Sequence, residues 1–494
     1  MLFNSINFLV FFPVVTTLYF LLPHRMRWVL LLVASCFFYM SFIPVFILIL
    51  AFTITVDYFA GIAIENAQGV RRKQFLVASI VANIGVLFVF KYFNFFNQNI
   101  ANLAQFLDWN YSLQSLALIL PIGLSFHTFQ SLSYTIEVFR GKQKAERHFG
   151  ILATYVMFYP QLVAGPIERP QNLLHQFFEE HKWEWGRVGS GIELMLFGFF
   201  KKLVIADNLA PFVNQVYEHP HEYIAPSLLI ATVFFAFQIY CDFSGYSDIA
   251  IGAARVMGIR LMTNFHMPYF SRSIGEFWRR WHISLSTWFR DYLYIPMGGS
   301  HGTASRTAVN LLVTFALSGF WHGANWTYVI WGGLNGLYLV CSMATAKLRS
   351  SAIPTTTWSI LQHLRAWWQT LLTFGLILVT WIFFRATSVT TAWFIITEIF
   401  TGWGVALDSL ILQEFVERYI YIGRSADDFF VATFGIFTLL VAEYLILCGV
   451  VDRIINSKWQ LVHWILRWFV LATAGLCIIA LSRAESQQFI YFQF

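Results

Sequence analysis

The sequence has 494 residues, of which 58% are hydrophobic, 19% aromatic and only 12% charged. An ordinary soluble domain carries about 25% charged residues, so this composition excludes a soluble protein built around one buried core. The formal charge of +6 comes from basic residues scattered in short loops between apolar runs, the positive-inside pattern of a membrane protein rather than a nucleic-acid-binding patch.

The apolar runs are roughly 18–22 residues long, which matches the hydrocarbon thickness of a bilayer. They predict spans near 6–22, 28–43, 45–63, 75–95, 113–136, 150–165, 190–206, 227–254, 308–322, 326–345, 370–385, 430–449 and 462–481. Allowing for tilted and re-entrant segments leaves about eleven full crossings. Arg25 and Arg27 follow the first run rather than precede it, and no Ala-x-Ala-like site comes after, so it reads as a span and not a signal peptide. His24-Arg-Met-Arg27, Arg71-Arg-Lys73 and the basic stretch 140–147 alternate with poorly charged connections near 44 and 97–112. With the basic loops cytoplasmic, the N-terminus is expected outside. The longest polar stretch, about 166–189, is too short for a soluble domain, so residues 1–494 read as a single membrane domain.

Residues 265–300 break the pattern, with four arginines in an interfacial region. At 100° per residue, Phe277, Trp278, Trp281, Leu285, Trp288, Phe289 and Tyr292 fall within an arc of about 120°. Arg279, Arg280, Ser284, Ser286, Thr287, Arg290 and Asp291 lie opposite, and His282 sits on the seam. The expectation is one amphipathic helix from Phe277 to Tyr292, at the membrane surface or the mouth of a cavity.

Two histidines are the candidates for chemistry. His322, in Ser318-Gly-Phe-Trp-His-Gly-Ala-Asn-Trp326, stands in an uncharged stretch from Thr307 to Ala346. A titratable group inside a membrane is a functional candidate by default, and imidazole moves protons near neutral pH. Gly319 and Gly323 flank it and Gly332, Gly333 and Gly336 follow, so a helix break there would turn the ring onto a cavity. The alternative is a buried histidine hydrogen-bonded to a neighbouring helix. His282 is either a second site residue or a headgroup-facing side chain on the arginine-rich helix.

Neither histidine belongs to a metal pattern, and no metal is expected. Cys36, Cys241, Cys341, Cys448 and Cys477 lack metal-ligand spacing and read as small buried hydrophobes. Asp242 and Asp248, in Tyr240-Cys-Asp-Phe-Ser-Gly-Tyr-Ser-Asp248, either orient a histidine or pair with an arginine. The last residues, Phe489-Ile-Tyr-Phe-Gln-Phe494, form an aromatic tail over 487–494. It is either an interfacial anchor or a segment inserted into the protein's own cavity, carrying the Tyr491 hydroxyl.

Taken together, Pro121-Ile-Gly-Leu-Ser-Phe126, Phe129-Gln-Ser-Leu-Ser-Tyr134, Ala164-Gly-Pro166, Asp242–Asp248, Glu276–Trp288, Arg290-Asp-Tyr-Leu-Tyr-Ile295 and Trp321-His-Gly-Ala-Asn325 resemble the membrane-bound O-acyltransferase family. The similarity covers nearly the whole chain and points to the bacterial polysaccharide branch. The resemblance implies an all-α polytopic protein of the bacterial inner membrane. Its transmembrane helices, about eleven, would form a ring around a central tunnel, with re-entrant and interfacial helices. It implies His322 as the catalytic histidine within the tunnel and His282 as a supporting residue nearer the cytoplasmic mouth. It also implies Tyr491 as an acyl carrier, a role that requires this tail to reach the tunnel from the outer side.

The donor implied is acetyl-CoA, a substrate rather than a permanent cofactor, and Arg279, Arg280 and Arg290 are placed to meet its phosphates. The acceptor would be Tyr491 or a partner's nucleophile; a tyrosine, with an unperturbed pKa near 10, needs an adjacent base at pH 7, which is the role assigned to His322. The partners implied are a periplasmic SGNH-type O-acetyltransferase and other polysaccharide-modification proteins. The glycan would be an alginate-like exopolysaccharide or peptidoglycan, with membrane lipid around the chain and no nucleic acid. Two competing readings, a transporter and a non-catalytic scaffold, leave the histidine motifs unexplained; a transporter would also be expected to show inverted repeats.

Overall fold

In the computed structural model, residues 1–163, 165–345, 359–404, 415–449, 460–482 and 489–490 are described. Among them all regular structure is helical. Among the described residues five helices are long and apolar enough to cross a membrane: Pro44–Asn66, Gly69–Phe106, Ala225–Met257, Leu361–Arg385 and Ala426–Leu447. Ala225–Met257 differs from the rest. Its most apolar stretch is 83% buried, against 22–39% for the other four, so its side chains face protein where theirs largely face outward.

The chain divides into two compact units. The first comprises 1–195 and 247–263, the second 196–246 and 264–494. In the first unit, Ile6–Leu21 and His24–Met40 form where spans are expected. The polar centre of this unit is Asp57, 1% exposed. Its carboxylate accepts from Ser79 Oγ at 2.6 Å and from Asn83 Nδ2 at 3.0 and 3.1 Å, and Ser79 also reaches Thr135 Oγ1 at 3.1 Å. The network ties helices Ile47–Asn66, Gly69–Leu87 and Leu124–Phe139 together, because a buried carboxylate must be hydrogen-bonded.

Two expected spans fail here. The run 113–136 is helical only from Leu124, since Pro121 and the left-handed Gly123 (φ +74°) start a new helix there and 110–120 carries no regular structure. The run 150–165 is two short helices, Phe149–Met157 and Tyr159–Leu162, broken at Phe158–Pro160 where proline removes a backbone donor.

The second unit holds both histidines. Its tightest element is the hairpin of Ala304–His322 and Trp326–Ala344. Gly319 and Gly332 face each other across it. A Cβ on Gly319 would stand 2.1 Å from the Tyr328 carbonyl oxygen, and one on Gly332 would stand 2.1 Å from that of Phe315. Only glycine permits that approach. Leu361–Arg385, Ala426–Leu447 and Gln460–Leu481 are further long helices of this unit. Of the cysteines, Cys241 is buried and Cys36 half-buried. Cys341, Cys448 and Cys477 are exposed, which corrects the expectation of burial: Cys341 and Cys477 lie on outward helix faces and Cys448 in the turn after Leu447.

Candidate active site

His322 is the last residue of Ala304–His322. The helix stops because Gly323 leaves the helical conformation (φ −158°, ψ 145°), and Asn325 opens the next helix by accepting from the Thr327 N–H at 3.1 Å. The break expected from the flanking glycines is therefore present. The imidazole is 5% exposed and lies in an aromatic shell, with ring centroids at 4.9 Å from Trp321, 5.0 Å from Trp331 and 5.4 Å from Phe384.

His282 is 6.5 Å away, ring centroid to ring centroid. It does not sit on a continuous helix. The expected Phe277–Tyr292 element is two short helices, Ile274–Arg280 and Ile283–Phe289, with a wide turn from Arg290 to Tyr294. The break falls at His282, in left-handed conformation with φ +41° and ψ 54°, which is uncommon for a residue carrying a Cβ. The cause is a strap from residues 264–266. His266 N–H donates to the Arg280 carbonyl at 2.9 Å, and Ile283 N–H to that of Asn264 at 2.8 Å.

The Asn264 side chain then fixes the ring. Its Oδ1 accepts from His282 Nδ1–H at 3.1 Å, from Ser284 Oγ at 2.9 Å and from Ser284 N–H at 3.3 Å. An amide oxygen can only accept, so the Nδ1–H tautomer is selected and Nε2 keeps its lone pair. His282, Ser284 and Asn264 are all 0% exposed, which corrects the headgroup-facing alternative. Burial pushes the His282 pKa down from 6.5 to about 3, so the ring is neutral at pH 7. The apolar arc is nonetheless buried as its pattern requires: Phe277, Trp281 and Leu285 are each 1% exposed.

The three arginines separate. Arg279 and Arg290 line one cavity of about 420 Å³ together with Trp278, Thr314, Phe315 and Ser318. Ser318, in its lining, lies one helical turn before His322 on the same helix, about 6 Å along its axis. Arg280 is not in that cavity. It pairs with Glu276 at 2.6 Å and lines a different one with Arg272, His363 and Trp367.

Asp242, 2% exposed, pairs with Lys202 at 2.8 Å, and among the described residues with neither a histidine nor an arginine. Tyr491 lies outside the described residues, but Phe489 and Ile490 before it are 1% and 2% exposed. Phe489 packs on Phe243 at 5.9 Å, and Phe243 stands edge-on to His282 at 4.6 Å between centroids. Sequence reasoning missed Asn264, Phe243 and Lys202. An asparagine one residue before the expected 265–300 region carries no local signal, whereas a lysine inside the apolar run 190–206 could have been noticed.

A model of the membrane-bound O-acyltransferase family matches residues 16–389. The chain is 40% identical over 400 residues to a probable alginate O-acetylase of Azotobacter vinelandii, covering 80% of this chain and 77% of the relative. It is 33% identical over 393 residues to a peptidoglycan O-acetyltransferase of Helicobacter pylori, covering 73% and 71%. A teichoic acid D-alanyltransferase of Bacillus subtilis is 29% identical over 238 residues, covering 45% and 59%.

Proposed function

The chain belongs to the membrane-bound O-acyltransferase family and is an acyltransferase, and from that premise we propose that it draws acetyl groups from cytoplasmic acetyl-CoA and passes them across the bacterial inner membrane. A periplasmic SGNH-type transferase then places them on a polysaccharide, alginate-like or peptidoglycan. In this reading the helices, about eleven as crossings, form a ring round a tunnel within one membrane domain. The observation that carries the proposal is the pair of buried imidazoles 6.5 Å apart. One of them ends a broken helix, beyond a cavity edged by two arginines.

Arg279 and Arg290 meet the phosphates of acetyl-CoA, and the thioester arm runs along Thr314 and Ser318 toward His322. His322 takes the proton of the accepting hydroxyl as that oxygen bonds to the thioester carbonyl carbon. The carbon–sulfur bond breaks, and the thiolate leaves as coenzyme A after taking up a proton. His282, neutral and held by Asn264, supports the same site. Arg280 contributes by fixing the local fold through Glu276 rather than by touching the donor.

The acceptor is Tyr491. Its support is the burial of Phe489 and Ile490 and the packing of Phe489 on Phe243, whose ring stands edge-on to His282. Glycan O-acetylation in cells carrying His322→Ala or Tyr491→Phe, each confirmed in the membrane, tests the scheme. Loss in both supports it. Loss with His322→Ala alone retains the acyltransferase and removes the tyrosine relay. Retention with His322→Ala leaves a transporter or a scaffold.

A further inference from the structure

A cluster of three ionisable side chains lies buried in the second unit without a part in the chemistry above. Lys202 is 1% exposed, and Asp207 and Asp242 are each 2% exposed. Lys202 Nζ stands 2.8 Å from Asp207 Oδ1 and 2.8 Å from Asp242 Oδ1. With all three ionised, two carboxylates share one ammonium. Such a group costs several kcal/mol to desolvate, and apolar side chains of the same volume often stabilise a core equally well. A use for the charge is therefore to be looked for.

The second oxygen of Asp242 supplies it. Oδ2 accepts the backbone N–H of Ile490 at 2.6 Å, from 248 residues further along the chain. Asp242, Phe243 and Tyr246 occupy neighbouring positions on Ala225–Met257. The Phe489 ring lies against Tyr246 at 4.4 Å and Phe243 at 5.9 Å between centroids. One helix thus offers an anionic acceptor for a backbone amide, with two aromatic rings for the side chain beside it. A carboxylate accepting from an amide is a charge-assisted bond, roughly twice as strong as a neutral one. Lys202 fixes that carboxylate with its free edge toward the segment.

We propose that Lys202, Asp207 and Asp242 form a docking site for the segment at Phe489–Ile490, with Asp242 as the positioning residue that holds the backbone just before Tyr491. The inference rests on Tyr491 as acceptor and adds what keeps it in place. Asp242 touches no reacting atom in this scheme. It acts through the tail, and Lys202 acts through Asp242.

The test uses the full chain with its five native cysteines replaced by alanine and a single probe cysteine, Phe489→Cys. The rate of modification by a membrane-permeant maleimide is measured with Asp242 intact, with Asp242→Ala and with Asp242→Asn. Acetyl transfer from radiolabelled acetyl-CoA is followed in the same three proteins without the probe, and again with Tyr491→Phe. Asp242→Ala leaves Lys202 paired with Asp207, and Asp242→Asn keeps the volume and an acceptor should the alanine variant fold poorly. Loss of a charge-assisted bond is expected to raise labelling about tenfold or more in Asp242→Ala and less in Asp242→Asn, with acetyl transfer falling in the same order. Labelling that is unchanged in both folded variants overturns the docking site. Raised labelling with undiminished transfer upholds the docking site and removes the tail as acceptor, which loss or retention of transfer in Tyr491→Phe establishes independently.

Discussion

Replacing Asn264 separates a placed His282 from a merely buried one. Its Oδ1 serves three donors, His282 Nδ1–H, Ser284 N–H and Ser284 Oγ, at 3.1, 3.3 and 2.9 Å, all on residues 0% exposed. In Asn264→Leu the serine hydroxyl can rotate to another acceptor, but the ring N–H and the backbone N–H are stranded. A stranded buried donor costs about 1–3 kcal/mol, so the loss is about 2–6 kcal/mol. His282 additionally holds a left-handed backbone that disfavours an L-residue by about 1–2 kcal/mol, a strain the strap no longer opposes fully. Asn264→Leu is expected to unfold several degrees earlier in detergent and to lose most of its acyl transfer. Asn264→Asp keeps the acceptor geometry but places a carboxylate on His282. Burial alone holds that imidazole near pKa 3, and an adjacent anion raises it. The acid limb of the rate profile should then move to higher pH while the fold persists. A leucine variant of native stability and rate, or an aspartate variant with an unmoved acid limb, would refute the role given to Asn264.

Gly319→Ala forces a Cβ to 2.1 Å from the Tyr328 carbonyl oxygen, whereas Gly333 has open space; the first should lose about 1–3 kcal/mol or fail to fold, and Gly333→Ala should behave as wild type in the same unfolding assay. His282 also sets a pH dependence of stability. Its pKa is about 3 folded against 6.5 as reference, so between those values the unfolded chain binds more protons. Its stabilisation is complete above about pH 6.5 and is lost as pH falls toward 3, by up to about 1.4 kcal/mol per pH unit. His282→Gln should flatten that part of a stability-versus-pH curve. Arg279→Gln and Arg290→Gln should each raise the KM for acetyl-CoA several-fold with little change in kcat, while Arg280→Gln, which breaks the pair with Glu276, should lower stability first; equal KM effects at all three would contradict the division between the two cavities.

Much of this architecture is legible before any coordinates. Hydropathy alone gives a helical membrane protein, and the glycines around His322 announce both the break and the close hairpin, because each follows from local backbone chemistry. The apolar arc from Phe277 to Tyr292 is legible as a buried face. Its division at His282 is not, since nothing in Trp-Arg-Arg-Trp-His-Ile-Ser forbids a helix. The strap from Asn264 and His266 imposes the break through long-range hydrogen bonds, and tertiary contacts override local propensity. Asp242 could be flagged as an intramembrane carboxylate, but its two partners lie 40 residues before it and 248 after. Spacing within one element cannot reveal them.

The central claim is that His322 is the base for acyl transfer, and the most direct measurement is the rate at which purified protein in proteoliposomes releases coenzyme A from acetyl-CoA, wild type against His322→Ala. General-base catalysis is worth about 10²–10⁴-fold, so release should fall by at least about a hundredfold while the protein remains folded and still binds acetyl-CoA. Release at the wild-type rate from a folded His322→Ala protein would contradict it.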